Sequence, residues 1–351
     1  MAFSFSKKWK GQIGIAMHDG GVTLGQCGWK HGSYVQPVVN RIEKNPRDLV
    51  ATDWQKAITS MYAGSECSIS LPSSIAHHQV LRLPNMSDQE LKEAAAWEMA
   101  DRLGTDRSAL QLDAVRIGSG GDVLAIAIEQ SILAELLEPM YEAGLQPTTI
   151  ESEATSISRT MSMLHRRNSD QANVRSVLDF GMSYSAFMVL AGDTMMFYKH
   201  LEYSGNNLIA SIAENTGVSF EQASRMLFSP CDTTQQSDIS KAVRDATRST
   251  HEAIATDAMK CIRHYGVTNR GPLSSKLLIT GSAGWNSHLA NVLATACNQE
   301  VVPTTAEPHI QQLPSEITNI PGWHIALGAS LASLHATQQR RGTDRSIEDA
   351  A

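Results

Sequence analysis

One pattern occurs twice in this sequence and constrains the fold more than any other. Gln12 to Met17 is an apolar extended run, His18-Asp19-Gly20-Gly21 turns the chain, and Val22 to Cys27 returns. Much later Val174 to Asp179 is such a run, Phe180-Gly181-Met182-Ser183 turns it, and Tyr184 to Leu190 returns. Glycine and aspartate supply the positive-φ positions that tight hairpin turns demand. Tyr34 to Val39 adds a third extended segment to the first copy, and Gly192-Asp193 leads into Thr194 to His200 in the second. Halves that open alike predict two related α/β lobes. The polar stretch Arg166 to Asn173, with little to bury, is the expected boundary.

Between the copies, Asp48 to Tyr62 reads as a helix with Val50, Trp54 and Ile58 on one face, and Cys67 to Leu71 as a short strand. Residues 73–144 read as an α+β insert. Gln79 to Leu83 is a strand, and Ser87-Asp88-Gln89-Glu90 is a capping box opening a helix with Leu91, Ala95, Met99 and Leu103 at four-residue spacing. Two strands, Leu110 to Ile117 and Val123 to Ile128, follow. A further helix carries Ile132, Leu133, Leu136, Leu137, Met140 and Tyr141, a stripe that reads as core before it reads as a docking groove. Ile150 to His165 is expected to be a helix. The second half continues with helices at Leu208 to Ala213 and after Ser219-Phe220-Glu221-Gln222, then a polar loop from Ser229 to Asp238. A long helix runs to about Tyr265, Lys276 to Thr280 and Val301-Val302 are strands, and Pro321 opens a last helix with Trp323, Leu327, Leu331 and Leu334. The expected organisation is a flexible 1–11, a first lobe of 12–72 with 145–165, the insert 73–144, a second lobe of 174–336 and a disordered tail 337–351.

Composition excludes several classes. With 42% hydrophobic and 19% charged residues the chain is not a disordered protein, and no apolar run is long enough for a membrane helix. Its 351 residues exceed what one core usually supports. Lys+Arg 29 against Asp+Glu 36 gives net charge −7, against a nucleic-acid binder. Five scattered cysteines without a CxxC read as thiols of a reducing compartment, so the expected location is cytoplasmic. Phe3, Phe5 and Trp9 among Lys7, Lys8 and Lys10 read first as a solvated terminus and second as a segment that rests on an anionic surface. His77 and His78 are adjacent on a strand, point to opposite faces and make a poor metal pair. Gly181 to Ser185 is not a GxSxG elbow.

Three glycine turns follow strands: Gly20-Gly21, Gly181 with Ser183 beyond it, and Gly281-Ser282-Ala283-Gly284. Such turns let backbone N–H groups approach a phosphate, and the third also feeds a helix N-terminus. Each also has a purely steric explanation, because hairpin and left-handed turns use glycine anyway. Asp179, at the end of an apolar strand, is placed to hold a Mg²⁺-bound water or to cap its own turn.

The run Val177-Leu-Asp-Phe-Gly-Met-Ser-Tyr-Ser, the Gly205-Asn-Asn-Leu helix start with Ser219-Phe-Glu-Gln-Ala, and Leu278-Ile-Thr-Gly-Ser-Ala-Gly resemble the PilM-type pilus-assembly proteins. These are actin-like relatives of the division protein FtsA. Within the insert Leu71-Pro-Ser-Ser, Leu83-Pro, Trp97-Glu98, Ala143-Gly-Leu-Gln-Pro and Glu151-Ser-Glu-Ala agree, and the resemblance runs from about Lys10 to Leu334. It implies an actin-like ATPase (ribonuclease H-like) fold that binds ATP with Mg²⁺ between two lobes. It also implies a protein peripheral to the inner membrane, docking the cytosolic N-terminal tail of a PilN-like bitopic partner among other platform proteins of a type IV pilus or related secretion machine. Position by position, Asp179, Gly181 and Ser183 match the second phosphate loop; Gly281, Ser282 and Gly284 match the adenosine-side turn; Glu153 matches an acidic residue facing Mg²⁺ or water.

The departures from that pattern are chemical. Ala16 stands where the family has an aspartate, Met17 and His18 replace the usual Ile-Gly, and Ser224 and Leu227 stand where Glu and Lys approach the ribose. An alanine holds no metal's water shell and a leucine pairs with no hydroxyl, so binding and transition-state stabilisation are both weakened. The expectation is therefore a scaffold whose nucleotide site is weak or empty. An active ATPase using Asp179 and Glu153, with Asp19 replacing the lost carboxylate, is the alternative. A sugar kinase of the same superfamily, more remote, needs a catalytic acid that the sequence does not offer.

Overall fold

A computed structural model of the chain describes residues 10–118, 120–165, 168–228, 238–269, 274, 276–282 and 286–334. The expectations for 1–9, for the tail beyond 334 and for the loop at 229–237 fall outside those residues. The chain divides into two compact units. The first runs to Arg116, resumes from Gly121 to Arg166 and returns from Glu307 to the C-terminal end; the second takes Ile117–Gly120 and Arg167–Ala306.

The first unit opens with β1 (Ile13–His18), β2 (Gly21–Lys30) and β3 (Ser33–Ile42), then α1 (Ala51–Ala57) and β4 (Glu66–Leu71). An intervening module follows: β5 (His77–Arg82), α2 (Asp88–Leu103), β6 (Leu110–Ile117) and β7 (Asp122–Glu129). The chain then returns through α3 (Gln130–Glu142), β8 (Gln146–Ser152) and α4 (Glu153–Ser162). The main sheet has the order β3-β2-β1-β4-β8. β1 is antiparallel to β2 and parallel to β4, and β4 is parallel to β8. β1 carries Ile13, Ile15 and Met17 into a core with Val22, Leu24, Trp54 and Ile69, which is what a nearly continuous apolar run in a central strand requires.

The module has its own three-stranded sheet, β5-β7-β6, and its own small core. α2 begins at the expected capping box: the Ser87 N–H donates to Glu90 Oε2 at 2.9 Å and the Glu90 N–H to Ser87 Oγ at 3.4 Å. Leu91, Ala95 and Met99 are buried against Leu81, Val123 and Ala125. α3 does not belong to this core. Its Leu136 and Met140 pack into the main core with Leu145, so the expected insert of 73–144 ends functionally at β7.

The second unit repeats the first. β9 (Val174–Phe180), β10 (Ser185–Ala191) and β11 (Thr194–Leu201) lead to α5 (Gly205–Thr216), α6 (Phe220–Phe228) and α7 (Asp238–Asn269). β12 (Lys276–Thr280), α8 (Ser287–Cys297) and β13 (Glu300–Pro303) close the sheet, whose order is β11-β10-β9-β12-β13. β9 is antiparallel to β10 and parallel to β12, so the connectivity matches the first sheet strand for strand. The expected box at α6 forms, with the Gln222 N–H donating to Ser219 Oγ at 3.2 Å.

Two expectations are corrected. Residues 150–165 are not one helix: β8 occupies the first part, as a sheet edge on which Gln146, Thr148 and Ile150 are exposed, and α4 starts only at Glu153. The second lobe does not extend to 336. After α9 (Ser315–Thr318), α10 (Trp323–Ser330) is buried along its whole length and packs on β1, β2 and α4 of the first unit. It lies so close that a Cβ added at Gly14 would fall 1.9 Å from the Ala326 carbonyl oxygen, and one at Gly328 would fall 2.1 Å from that of Ser156. Neither obstacle is a flexible side-chain end, so the backbones themselves would have to part. Gly328→Ala should therefore cost about 2 kcal/mol or more in urea-unfolding stability, whereas Gly20→Ala, whose nearest neighbour is the Arg41 Nη2 at 3.9 Å, should change it little. Equal losses for the two would contradict this packing.

Candidate functional site

The residues singled out from the sequence fall in both units. In the first, β1 lies between β2 and β4, so Ala16 pairs with Thr23 on one side and Ser70 on the other and is completely buried. No carboxylate reaches out of that strand. Asp19, the expected substitute, sits in the β1–β2 turn, where its Oδ1 accepts from Ser74 Oγ at 2.5 Å. Gly21 has a steric reason to be glycine, since a Cβ there would fall 2.5 Å from the Ile42 carbonyl oxygen. Gly20 offers its carbonyl oxygen to Arg41 Nη2 at 3.4 Å, which brings a guanidinium over the turn.

Glu153 opens α4 and is 2% exposed. Its Oε1 lies 3.7 Å from Nδ1 of His18, the last residue of β1. Burial, then the Arg41 guanidinium and His324, hold the His18 imidazole down to about 3 against the pull of Asp19, so at neutral pH the ring is uncharged and the contact is no ion pair. The other face of the ring meets the start of α10. Gly322, with φ 79°, opens that helix without a side-chain cap, and a Cβ on it would fall 2.0 Å from His18 Nε2. Thr23 Oγ1 donates to the Pro321 carbonyl oxygen at 2.6 Å beside it. The sequence marked His18 only as a departure from a motif; Arg41, Thr23 and Gly322 carried no signal, because their partners are remote in the chain.

In the second unit the site residues come together. β9 and β12 are parallel neighbours with Asp179 opposite Thr280, so Asp179, Gly181, Gly281 and Ser282 lie side by side at their carboxyl ends. That is where open α/β sheets hold ligands. Asp179 is 2% exposed. Gly281 has φ 96°, and a Cβ on it would fall 2.4 Å from the Phe180 carbonyl oxygen, so strand packing alone requires it. The loop after β9 is tied down: the Gly181 N–H donates to the Tyr184 carbonyl at 3.0 Å, and the N–H groups of Gly205 and Asn206 donate to the Gly181 and Met182 carbonyls at 2.9 Å each. Ser183 stands exposed at its tip. Gly284 lies outside the described residues. Leu227 packs against both apolar clusters of this unit, which accounts for its chemistry without a ligand, and Ser224 is half-buried one turn earlier.

For Mg²⁺ and a phosphate chain the fit is divided. The second unit offers a buried carboxylate beside two glycine turns. The end of β1 does not fit, having an alanine for the carboxylate and an imidazole in the turn. Among the described residues no three His, Cys, Asp or Glu side chains gather as metal ligands.

The two five-stranded sheets with the same connectivity are the duplicated arrangement of the actin-like ATPases. A solved structure described as "PilM-PilN type IV pilus biogenesis complex" matches over 91% of this chain and 97% of its own, with TM-score 0.67 and 18% identity. The chain has the PilM-type actin-like fold. An archaeal actin homolog matches with TM-score 0.48 and 12% identity over 93% of this chain and 99% of its own. An ethanolamine utilization protein, EutJ from Carboxydothermus hydrogenoformans, matches with 0.47 and 14% over 91% and 89%. No protein-family model and no curated protein matches the sequence. Among the described residues no helix is long and apolar enough to cross a membrane.

A second imidazole contact holds α7 to α8. His251, fully buried, and His288 face each other with their Nδ1 atoms 3.0 Å apart, so one ring donates and the other accepts. Burial, then His288, lowers His251 from 6.5 to about 4. A histidine neutral in the fold takes a proton once unfolded. Stability is therefore full above pH 6.5 and falls as pH drops towards 4, by about 3 kcal/mol for His251 alone. His18 acts in the same sense. Urea midpoints followed from pH 7 to 4.5 should decline steadily, and His251→Gln should flatten the decline by roughly 2 kcal/mol; superimposable profiles would show that His251 is not the titrating group.

Proposed function

We propose that this chain is a cytoplasmic scaffold of the inner-membrane platform of a type IV pilus or related secretion machine. It docks the cytosolic N-terminal tail of a PilN-like bitopic protein, and its nucleotide site is weak or empty. The observation that carries the docking role is the shared fold along nearly the whole length of a protein solved as a PilM–PilN complex, at TM-score 0.67. Placement at the membrane then comes through the partner, with Lys7, Lys8 and Lys10 a weak electrostatic aid at an anionic surface. Support for the weak site is chemical. Ala16 is sealed between Thr23 and Ser70, Asp19 is turned towards Ser74, and Leu227 is committed to packing.

One observation favours the second reading, an active Mg-ATPase. Asp179 and Gly281 stand together at the ends of β9 and β12, the half of the constellation that the chain retains. Titration calorimetry with Mg-ATP separates the two. The scaffold reading expects no heat of binding; submicromolar binding lost in Asp179→Ala would establish the ATPase instead. Docking has its own test. The full chain, co-expressed with a small bitopic protein encoded nearby, should co-purify with it, and deleting that partner's first cytosolic residues should abolish recovery. Undiminished recovery after the deletion would overturn the tail as the docking element.

A further inference from the structure

We propose that the imidazole of His18 is a built-in plug, filling from within the chain the space at the end of β1 that the phosphates of a nucleotide would need. The proposal rests on the weak-site reading above and supplies its mechanism. Three element ends converge on this ring. β1 delivers it, α4 begins at Glu153 on one side with 3.7 Å between Oε1 and Nδ1, and α10 begins at Gly322 on the other. The start of α10 has no side-chain cap and follows a left-handed glycine; the N–H groups of Trp323 and Ile325 donate to the Ile320 and Gly322 carbonyls, so it is the bare backbone of Gly322 that makes room beside the ring. Arg41, with its Nη2 on the Gly20 carbonyl, adds positive charge over the Gly20–Gly21 turn.

What fills the space is His18. Gly322 has no side chain, and His18 Nε2 occupies the ground that a Cβ there would claim, 2.0 Å away. The same nitrogen is buried and has no hydrogen-bond partner. An imidazole held for its bonding would place that nitrogen against a donor or acceptor, since leaving it unsatisfied costs free energy. This ring is placed for its volume. It also brings no charge to recruit a phosphate, because burial keeps it neutral. Cutting the side chain back leaves Glu153, Arg41 and the start of α10 around a gap that faces the Gly20–Gly21 turn. Strand β1 loses nothing in its register, since His18 pairs with Gly21 through backbone.

The test compares wild type, His18→Ala and His18→Gly by calorimetry with Mg-ATP, with adenosine as the ligand that lacks phosphates. Urea unfolding at pH 7 identifies any variant that does not fold, and His18→Ala, which keeps a Cβ in the strand, is the safer of the two. The expected result is no binding by wild type, and Mg-ATP affinity in both variants at least ten times above the detection limit set by wild type, with adenosine unchanged. Folded variants that bind Mg-ATP no better than wild type overturn the plug and leave the weak site standing on Ala16. Tight binding by wild type overturns the weak site, and the plug with it. A gain for adenosine equal to that for Mg-ATP overturns the assignment of the space to phosphate.

Discussion

Contact between backbones, without side chains in between, holds the first unit together. α10 lies on β1 and β2 where Gly14 and Gly25 leave the sheet bare, and α4 lies on α10 where Gly328 leaves the helix bare. Helices seldom approach a sheet this closely, because ordinary side chains keep the layers about 10 Å apart. Here the separation is set by glycine hydrogens and peptide oxygens. The arrangement is then locked from its rim. Arg159 on α4 holds the carboxylate of Glu151 on β8 through two bonds of 2.7 Å and gives a third, also 2.7 Å, to the Gly328 carbonyl. Both partners are 9% exposed, so their desolvation cost is offset by these three short bonds, while the buried Arg159 Nε makes none. Thr160 Oγ1 adds a 2.6 Å bond to the His324 carbonyl. The last helix is thus a structural member of the first sheet, and its N-terminus is fixed against the end of β1.

That fixation is what gives the end of β1 its character. Because α10 cannot retreat, Gly322 is held against His18, and because α4 is clamped to α10, Glu153 is held on the ring's other side. Among the described residues, the second unit is built differently at this point. Its β9 loop is pinned to the start of α5 by the N–H groups of Gly205 and Asn206, and Asp179 meets β12. Two sheets of identical connectivity therefore differ at equivalent strand ends. One ends in an imidazole packed against Gly322, and the other has a carboxylate beside glycine turns.

How much of this a sequence reader could see depends on distance along the chain. The duplicated hairpins were legible because both signals are local: alternating or continuous apolar runs, and glycines with positive φ between them. The boxes at Ser87 and Ser219 were legible for the same reason. β8 was not, because an edge strand alternately exposed and containing Pro147 carries no apolar run, and its β-branched Thr148, Thr149 and Ile150 adjoin a helix start with no break between them. The lobe to which 307–334 belongs was not legible either, since nothing local tells a helix that it must return to a sheet begun three hundred residues earlier. His18 stood out as a misfit residue, yet what it fills is defined by Gly322 and Glu153, neither of which is near it in sequence.

Much of the resemblance to a nucleotide-binding family is carried by glycines, and packing accounts for them without a nucleotide. Gly21, Gly181 and Gly281 are each explained by a carbonyl oxygen that a Cβ would strike: that of Ile42 at 2.5 Å, of Tyr184 at 2.8 Å and of Phe180 at 2.4 Å. A chain that had lost its nucleotide would keep all three merely to keep its sheets. Glycine turns therefore certify the fold and carry little information about the ligand. The informative positions are those whose chemistry packing does not require. Ala16 is a small residue between Thr23 and Ser70 and is not a carboxylate; Asp179 is a buried carboxylate at the equivalent strand end. The two equivalent strand positions thus differ in kind, a buried alanine in one sheet and a buried carboxylate in the other.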